Sequence, residues 1–353
     1  MSTRLHIVHP DWQAALQDEL AAEFPGSQHS AVRPGWITSK LSASDAELPP
    51  SVVFCNQTVP DPVAVQAESV KQWGQLVAIW LIEKLAEHQS PWRLHIYGLF
   101  DTDDAPSRGR CELIRGAVLE ILKKKQRRLL RSLVTDDAAR WQTDEALIQV
   151  ALTTPVAGYI SLAGAETRWQ LRRSMSRFAG GEILIPANEQ APARAFAKLA
   201  EAWQLYGQSV QPGETCVDLG ACPGSWTWLA VQSGAAVTAI DRSELRADLM
   251  NNPQVEFLQA DAFRYQPPAT VDWLLSDIIA FPQRIMELLQ NWLQHGWCRQ
   301  YCVTIKFRGA DDYQILQPLK VLLDTYSEDF LLRRLGSNKN EVTAIGIRRI
   351  DLP

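Results

Sequence analysis

The sequence predicts an α/β protein in two parts. A small α+β module spans residues 1–165, a linker covers 166–189, and a doubly wound, mostly parallel sheet fills 190–353. Three observations carry this reading. Residues 216–226, CVDLGACPGSW, run from an apolar strand pattern ending in an acid, through two glycines and a proline, into a helical pattern. Beyond them, strand-like and helix-like segments alternate, as in a sheet built from βα units. A chain of 353 residues also exceeds one typical domain.

In the first part, residues 5–8 read as a short strand and 11–24 as a helix closed by Pro25-Gly26. A polar, proline-dotted region follows to about residue 50, and 51–56 read as another strand. Residues 68–88 keep helical spacing through Val70, Trp73, Leu76, Val77, Trp80, Leu81 and Leu85. Residues 91–100 read as a strand and 101–104 as an exposed acidic turn. A helix over 111–133 has the apolar stripe Leu113, Ile114, Ala117, Val118, Ile121 and Leu122. Its second half carries Lys123, Lys124, Lys125, Arg127, Arg128 and Arg131. Strands over 146–152 and 158–162 complete the module.

The second part opens with a helix over 195–206. Strands are expected at 215–219, 236–240, 255–259, 271–277 and 301–307, separated by helices at 226–232, 282–295 and 312–326. Two last strands, 330–335 and 343–349, join through a Gly-Ser-Asn turn and suggest an antiparallel hairpin at the end of the sheet.

Composition narrows the class. A net charge of −5 excludes a uniformly basic nucleic-acid binder. Residues 107–177, however, hold 14 Lys+Arg against 7 Asp+Glu, a local +7, which leaves −12 for the rest. Such asymmetry fits a binding face for RNA phosphates, extended by Arg168, Arg172, Arg173 and Arg177; it equally fits a basic helix face in water. The six cysteines form no CxxC pair and no zinc set, so no metal is expected. No apolar run reaches bilayer length and the start lacks a signal-like core, which together predict a cytoplasmic protein without a membrane partner.

Gly220 and Gly224 let the backbone approach a ligand closely, although two glycines also serve an ordinary βα turn. Their spacing is neither the dinucleotide G-x-G-x-x-G nor a phosphate loop. Three acids end strand patterns: Asp218, Asp241 and Asp261. Asp241 follows Asp218 by 23 residues, near the roughly 20 that bring an acid to a ribose across one βαβ step. A carboxylate accepts both ribose hydroxyls, and Asp261 would reach the adenine edge. Asp218 beside the turn would repel a pyrophosphate but suits an ammonium or sulfonium. The cofactor expected is therefore S-adenosylmethionine, held by Asp218, Gly220, Cys222, Pro223, Gly224, Ser225, Trp226, Asp241, Asp261 and Asp277.

Four more residues stand at informative places. Lys198 lies on the helix before the first strand, Asp277 ends the run VDWLLS, and Glu341 begins the last strand. Lys306 sits in YCVTIKF, where a lysine is out of keeping with a buried strand. In this order around DLGACPGSW, they resemble the Lys-Asp-Lys-Glu tetrad of the FtsJ-like ribose 2′-O-methyltransferases. More closely, the chain is similar to the bacterial members that methylate a cytidine of large-subunit rRNA. The resemblance rests on APARAFAKLAEAW, CVDLGACPGSWTW, WLQHGWCR, IKF and NEVTAIGIRR, which together cover 190–353. It implies a Rossmann-like methyltransferase domain, an N-terminal THUMP-like RNA-binding region, and large-subunit rRNA or its precursor as partner. The chain departs from the family pattern at Ser225 and Ala195, where a glycine and a serine are usual. Phe307-Arg308-Gly309 replaces a leucine-proline continuation.

A ribose hydroxyl becomes a nucleophile only when its proton is removed or strongly shared. A lysine takes that proton only while its amine is neutral, which burial or a nearby cation favours. Lys306 is the expected base and Lys198 the nearby cation; Asp277 and Glu341 orient them. Taken singly, each lysine also reads as an ion-paired side chain and each acid as a strand cap. A catalytically silent RNA-binding copy of the fold and a methyltransferase with a non-rRNA substrate remain the competing classes.

Overall fold

The computed structural model describes residues 2–47, 51–99, 106–136 and 139–350. The acidic turn expected at 101–104 lies outside the described residues. The chain divides into two compact units, Met1–Glu182 and Ile183–Pro353.

Unit 1 holds two sheets. The first is antiparallel, with strand order β2-β3-β1-β4: β1 (Thr3–Ile7), β2 (Gln28–Arg33), β3 (Trp36–Lys40) and β4 (Gln57–Pro60). Helices α1 (Gln13–Glu23) and α2 (Ala43–Glu47) accompany it. The β2–β3 hairpin occupies the region read as merely polar. Its β2 residues are mostly exposed, so they carry little apolar signal, and Gly35 supplies the positive φ of the turn. Residues 51–56, read as a strand, are buried coil. Two of their backbone donors go to one side chain: Glu19 accepts from Val53 N at 2.8 and 2.9 Å and from Phe54 N at 3.1 Å. Pairing therefore starts one residue later, at Gln57.

The second sheet has the order β5-β9-β8-β6-β7: β5 (Val63–Gln66), β6 (Trp92–Tyr97), β7 (Leu133–Val134), β8 (Ala146–Leu152) and β9 (Ala157–Ala163). Helices α3 (Val70–Lys84) and α4 (Arg108–Lys125) cover one face. Trp73, Val77 and Leu81 of α3 join Ile114, Val118 and Leu122 of α4 over Trp92, Leu94, Ile148 and Val150. Gly74 lets the helices meet, since a Cβ there would strike Ala117. Helix α4 stops at Lys125, short of the expected 133. Gln126 leaves helical geometry, and the Leu129 carbonyl accepts the Trp92 indole N–H at 2.8 Å.

Residues 166–182, expected within a linker, pack inside unit 1. After α5 (Ala165–Gln170), Leu171 and Met175 are buried against Leu147 and Ala163. The Gln57 amide donates to Ser176 O at 3.1 Å and accepts from Ser176 N at 2.8 Å.

Unit 2 is one seven-stranded sheet of order β12-β11-β10-β13-β14-β16-β15: β10 (Thr215–Leu219), β11 (Ala236–Asp241), β12 (Val255–Gln259), β13 (Val271–Ser276), β14 (Cys298–Lys306), β15 (Ser327–Arg333) and β16 (Glu341–Arg348). The first five are parallel. β16 runs antiparallel between β14 and the edge strand β15, so the final pair closes the sheet as expected. The helices are α6 (Phe196–Tyr206), α7 (Ser225–Gln232), α8 (Ala247–Met250), α9 (Pro282–Gln294) and α10 (Leu316–Tyr326). Leu199, Ala202 and Trp203 of α6 and Trp226 and Ala230 of α7 share a core with Cys216, Trp273, Cys302 and Ile345 of the strands. Because most strands are buried on both faces, their sequences are near-continuous apolar runs.

Candidate active site

Strand order reverses between β10 and β13, where open α/β sheets bind ligands outside the strand carboxyl ends. Leu219 of β10 lies opposite Ser276 of β13, so Gly220 and Asp277 leave the sheet side by side. Gly220 (φ +74°) and Gly224 (φ +106°) hold left-handed backbone around a cis Cys222–Pro223 peptide. A Cβ on Gly220 would meet Ile278, and one on Gly224 would meet Leu249. The close approach these glycines permit is thus to the chain's own side chains.

The turn is tied to what precedes α6. Ser225 Oγ donates to Ala193 O at 3.2 Å and the Trp226 indole donates to Ala195 O at 2.9 Å. Both side chains are buried, while Cys222 is exposed. Ser225 therefore fills with a structural bond the position where a second glycine was expected.

The acids differ in state. Asp218 is buried and accepts from Thr227 Oγ1 at 2.7 Å. Burial pushes its carboxyl up to about 7, and the Thr227 hydrogen bonds resist that rise. Asp241 accepts from Cys222 N at 3.0 Å and from Ser243 N at 2.9 Å, which binds the end of β11 to the glycine turn. Asp261 accepts from Phe263 N at 3.1 Å and pairs with Arg242 at 3.2 Å; these hold it below the ordinary carboxylate range.

Lys198, Asp277, Lys306 and Glu341 are brought together. Lys198 Nζ lies 2.6 Å from Glu341 Oε1 and 3.2 Å from Asp277 Oδ2. Lys306 Nζ lies 3.0 Å from Asp277 Oδ1 and donates to the Asp277 carbonyl at 2.8 Å. Asp277 thus sits between two lysine side chains. The side chains are 14% (Lys198), 21% (Lys306) and 5% (Glu341) exposed, sheltered yet reachable from solvent. Three further residues, which sequence reasoning missed, hold this group. Glu201, one turn beyond Lys198 on α6, accepts from Gly336 N at 2.6 Å, Ser337 N at 2.8 Å and Ser337 Oγ at 2.6 Å. Asn340 exchanges backbone and side-chain bonds with Phe307 and accepts from Tyr313 OH at 2.8 Å. No local feature of the sequence marked these bonds.

Of the basic residues in unit 1, Lys123, Lys124, Lys125, Arg127, Arg128 and Arg131 are exposed at the end of α4 and just beyond it. Arg128 also bonds the Ala86 carbonyl. Arg172 lies over the Trp169 ring at 4.3 Å, and Arg173 is half-buried. Arg168 and Arg177, expected to extend the positive surface, are buried instead. Arg168 donates to the Glu145, Gln142 and Thr143 carbonyls, and burial lowers Arg177 to about 10. Among the described residues no group of three or more His, Cys, Asp or Glu is placed to hold a metal ion. No helix of the described residues is long and apolar enough to cross a membrane.

Comparison with known proteins finds the same region. A family model described as FtsJ-like methyltransferase matches residues 191–303. The ribosomal RNA large subunit methyltransferase M of Alkalilimnicola ehrlichii is 30% identical over 317 residues, covering 85% of this chain and 80% of that protein. Its counterpart in Pseudomonas fluorescens is 37% identical over 46% of this chain and 49% of its own length. The one in Laribacter hongkongensis is 41% identical over 36% of this chain and 37% of its own. The latter two alignments span about half or less of those proteins.

Proposed function

The chain belongs to the ribosomal RNA large subunit methyltransferase M family, and we propose that it methylates a ribose 2′-hydroxyl of large-subunit rRNA, with S-adenosylmethionine as donor. The residue methylated is a cytidine, in line with the resemblance of 190–353 to cytidine-specific members. One observation carries the reading: Asp277 is shared by Lys198 and Lys306, while Glu341 closes on Lys198 at 2.6 Å.

The donor set fits the cofactor. Acids at or beside the carboxyl ends of β11 and β12 offer carboxylates to a ribose and an adenine amine, whereas Asp218 at the end of β10 is buried against Thr227. Asp241 and Asp261 retain exposed surface for the nucleoside. When bound, S-adenosylmethionine supplies an electrophilic methyl group. The chain's own residues do the rest. Two of the three Lys306 positions are directed at Asp277, through its carbonyl and Oδ1, which leaves the third for the hydroxyl. Lys306 in its neutral form takes the hydroxyl proton at Nζ as the oxygen bonds to carbon. Lys198, fixed by two carboxylates, keeps positive charge beside the reaction centre. Rigid placement of the acceptor contributes much of the acceleration. The exposed cations of 123–131 supply sequence-independent phosphate contacts.

Transfer of labelled methyl to unmodified large-subunit rRNA, followed by alkaline hydrolysis, tests the reading. A 2′-O-methyl ribose blocks cleavage at its own 3′ phosphodiester, so one hydrolysis-resistant dinucleotide is expected. Label recovered on a base, or no transfer by a protein that binds the cofactor, overturns it.

A further inference from the structure

The segment that follows Asp277 is unusual for a strand-to-helix connection. Ile279 is 87% exposed and Phe281 57%, although apolar side chains of this size gain most by burial. The Arg308 guanidinium, on a side chain 74% exposed, lies over the Phe281 ring at 4.4 Å. Arg308 follows Lys306 by two residues, as Ile279 follows Asp277. The two segments are therefore tied twice: inside by Lys306 to Asp277, and outside by Arg308 to Phe281. The outer tie rims the reaction centre and leaves Ile279 uncovered.

The rim has backbone support. Arg308 N donates to Asp312 Oδ2 at 2.7 Å. Phe307 is buried edge-on against Tyr313, 5.0 Å between centroids. Phe281 starts α9, whose first helical residue is Pro282. Phe281 thus stands at a helix cap, and Arg308 is anchored through its own backbone.

We propose that Ile279, Phe281 and Arg308 form a stacking platform for an unpaired base of the acceptor RNA strand, at or next to the reacting ribose. This rests on the RNA reading above. An aromatic ring and a guanidinium plane are the two surfaces on which unpaired bases stack, and Arg adds attraction for the phosphate. Continuity with the tetrad favours this occupant: a ribose at Lys306 must carry its base and neighbouring phosphates across the adjoining surface. A protein partner would have no reason to be centred on the reaction centre. The platform also gives the Arg308 departure from the family's leucine-proline continuation a use.

The test compares full-length wild type, Phe281→Ala, Phe281→Tyr and Arg308→Ala. Each is titrated with a short oligocytidylate and with a ribose-phosphate strand of equal length without bases. Wild type should favour the base-bearing strand by about 5- to 150-fold, the range for one stacked base. Phe281→Ala should erase that preference while its affinity for the baseless strand holds, Phe281→Tyr should keep it, and Arg308→Ala should weaken both strands. Cofactor affinity and thermal melting, unchanged in all, show that the variants fold. Equal binding of the two strands by wild type, or an undiminished preference in Phe281→Ala, overturns the platform. Failure of wild type to bind either strand overturns the RNA reading beneath it.

Discussion

Lys306 and Glu341 face each other in register across β14 and β16, yet their ion pairs run elsewhere. Lys306 turns to Asp277 at 3.0 Å, and Glu341 turns to Lys198 at 2.6 Å. The antiparallel strand β16 therefore does more than close the sheet. It carries a carboxylate to the far lysine and leaves the near one to the carboxylate of the neighbouring parallel strand. The result is an alternating chain, Glu341, Lys198, Asp277, Lys306, with Lys306 as its open end.

That order makes Lys306 the sensitive position. Lys306→Ala should lower single-turnover methyl transfer by about 10²- to 10⁴-fold, the usual contribution of a positioned base. Lys306→Arg should fail as well, because a guanidinium does not deprotonate. Cofactor affinity should hold in both. Appreciable transfer by Lys306→Arg would remove the base assignment.

Glu201 should matter without touching substrate. Its carboxylate holds Gly336 and Ser337, in the turn that leads to Glu341. Glu201→Ala leaves two backbone donors without that acceptor and should cost roughly 1–3 kcal/mol of stability. If the turn positions Glu341, the maximal rate at saturating RNA and cofactor should fall as well, while cofactor affinity stays. A loss of stability with an unchanged maximal rate would make Glu201 purely structural.

Much of unit 2 was legible because β10 and β13 are largely buried runs between turn signals, and their bounds, like those of the more exposed β12, follow the expected ones within a residue. Unit 1 was less legible for local reasons. The β2–β3 hairpin is too polar and exposed to show alternation, and the Val53 and Phe54 donors bond Glu19, invisible in a one-dimensional pattern. Lys306 stood out in sequence as a charge in an apolar strand. Glu201 did not, because an acid on a helix has no local mark of burial. Nothing in the sequence marks Phe281 and Ile279 as different from core residues; only their exposure does.

The pH response of Asp218 has a definite sign. Its folded-state value of about 7 lies above its ordinary 3.8, so the folded chain retains a proton that the unfolded chain releases. Stability from this group is complete at low pH and is lost as pH rises from about 4 through about 7. Asp218→Asn should therefore gain melting temperature relative to wild type as pH is raised across that window. A difference between the two proteins that stays constant with pH would contradict the raised value.

The basic end of α4 should act on RNA through charge alone. Lys123, Lys124 and Lys125 are exposed at the helix C-terminus. Replacing all three with glutamine should reduce the slope of log affinity for single-stranded RNA against log salt by about 2, since each phosphate contact contributes roughly 0.7. Affinity at low salt should fall, and cofactor affinity should not. An unchanged slope would return this segment to a solvated helix face.

The Lys198–Glu341 pair separates charge balance from catalysis. Lys198→Met leaves Glu341, 5% exposed, without its cation at 2.6 Å. Uncompensated buried charge of this kind costs on the order of 3 kcal/mol. Adding Glu341→Gln removes that charge, so the double variant should recover a good part of the lost stability, with a clear coupling in the mutant cycle. Transfer should not recover, because neither the cation beside Lys306 nor the carboxylate that fixes it remains. Stability measured by denaturant unfolding and rate measured by single turnover must therefore diverge in the double variant. Recovery of both together would mean that Lys198 and Glu341 serve the fold alone, and the alternating chain of charges would lose its claim on the chemistry.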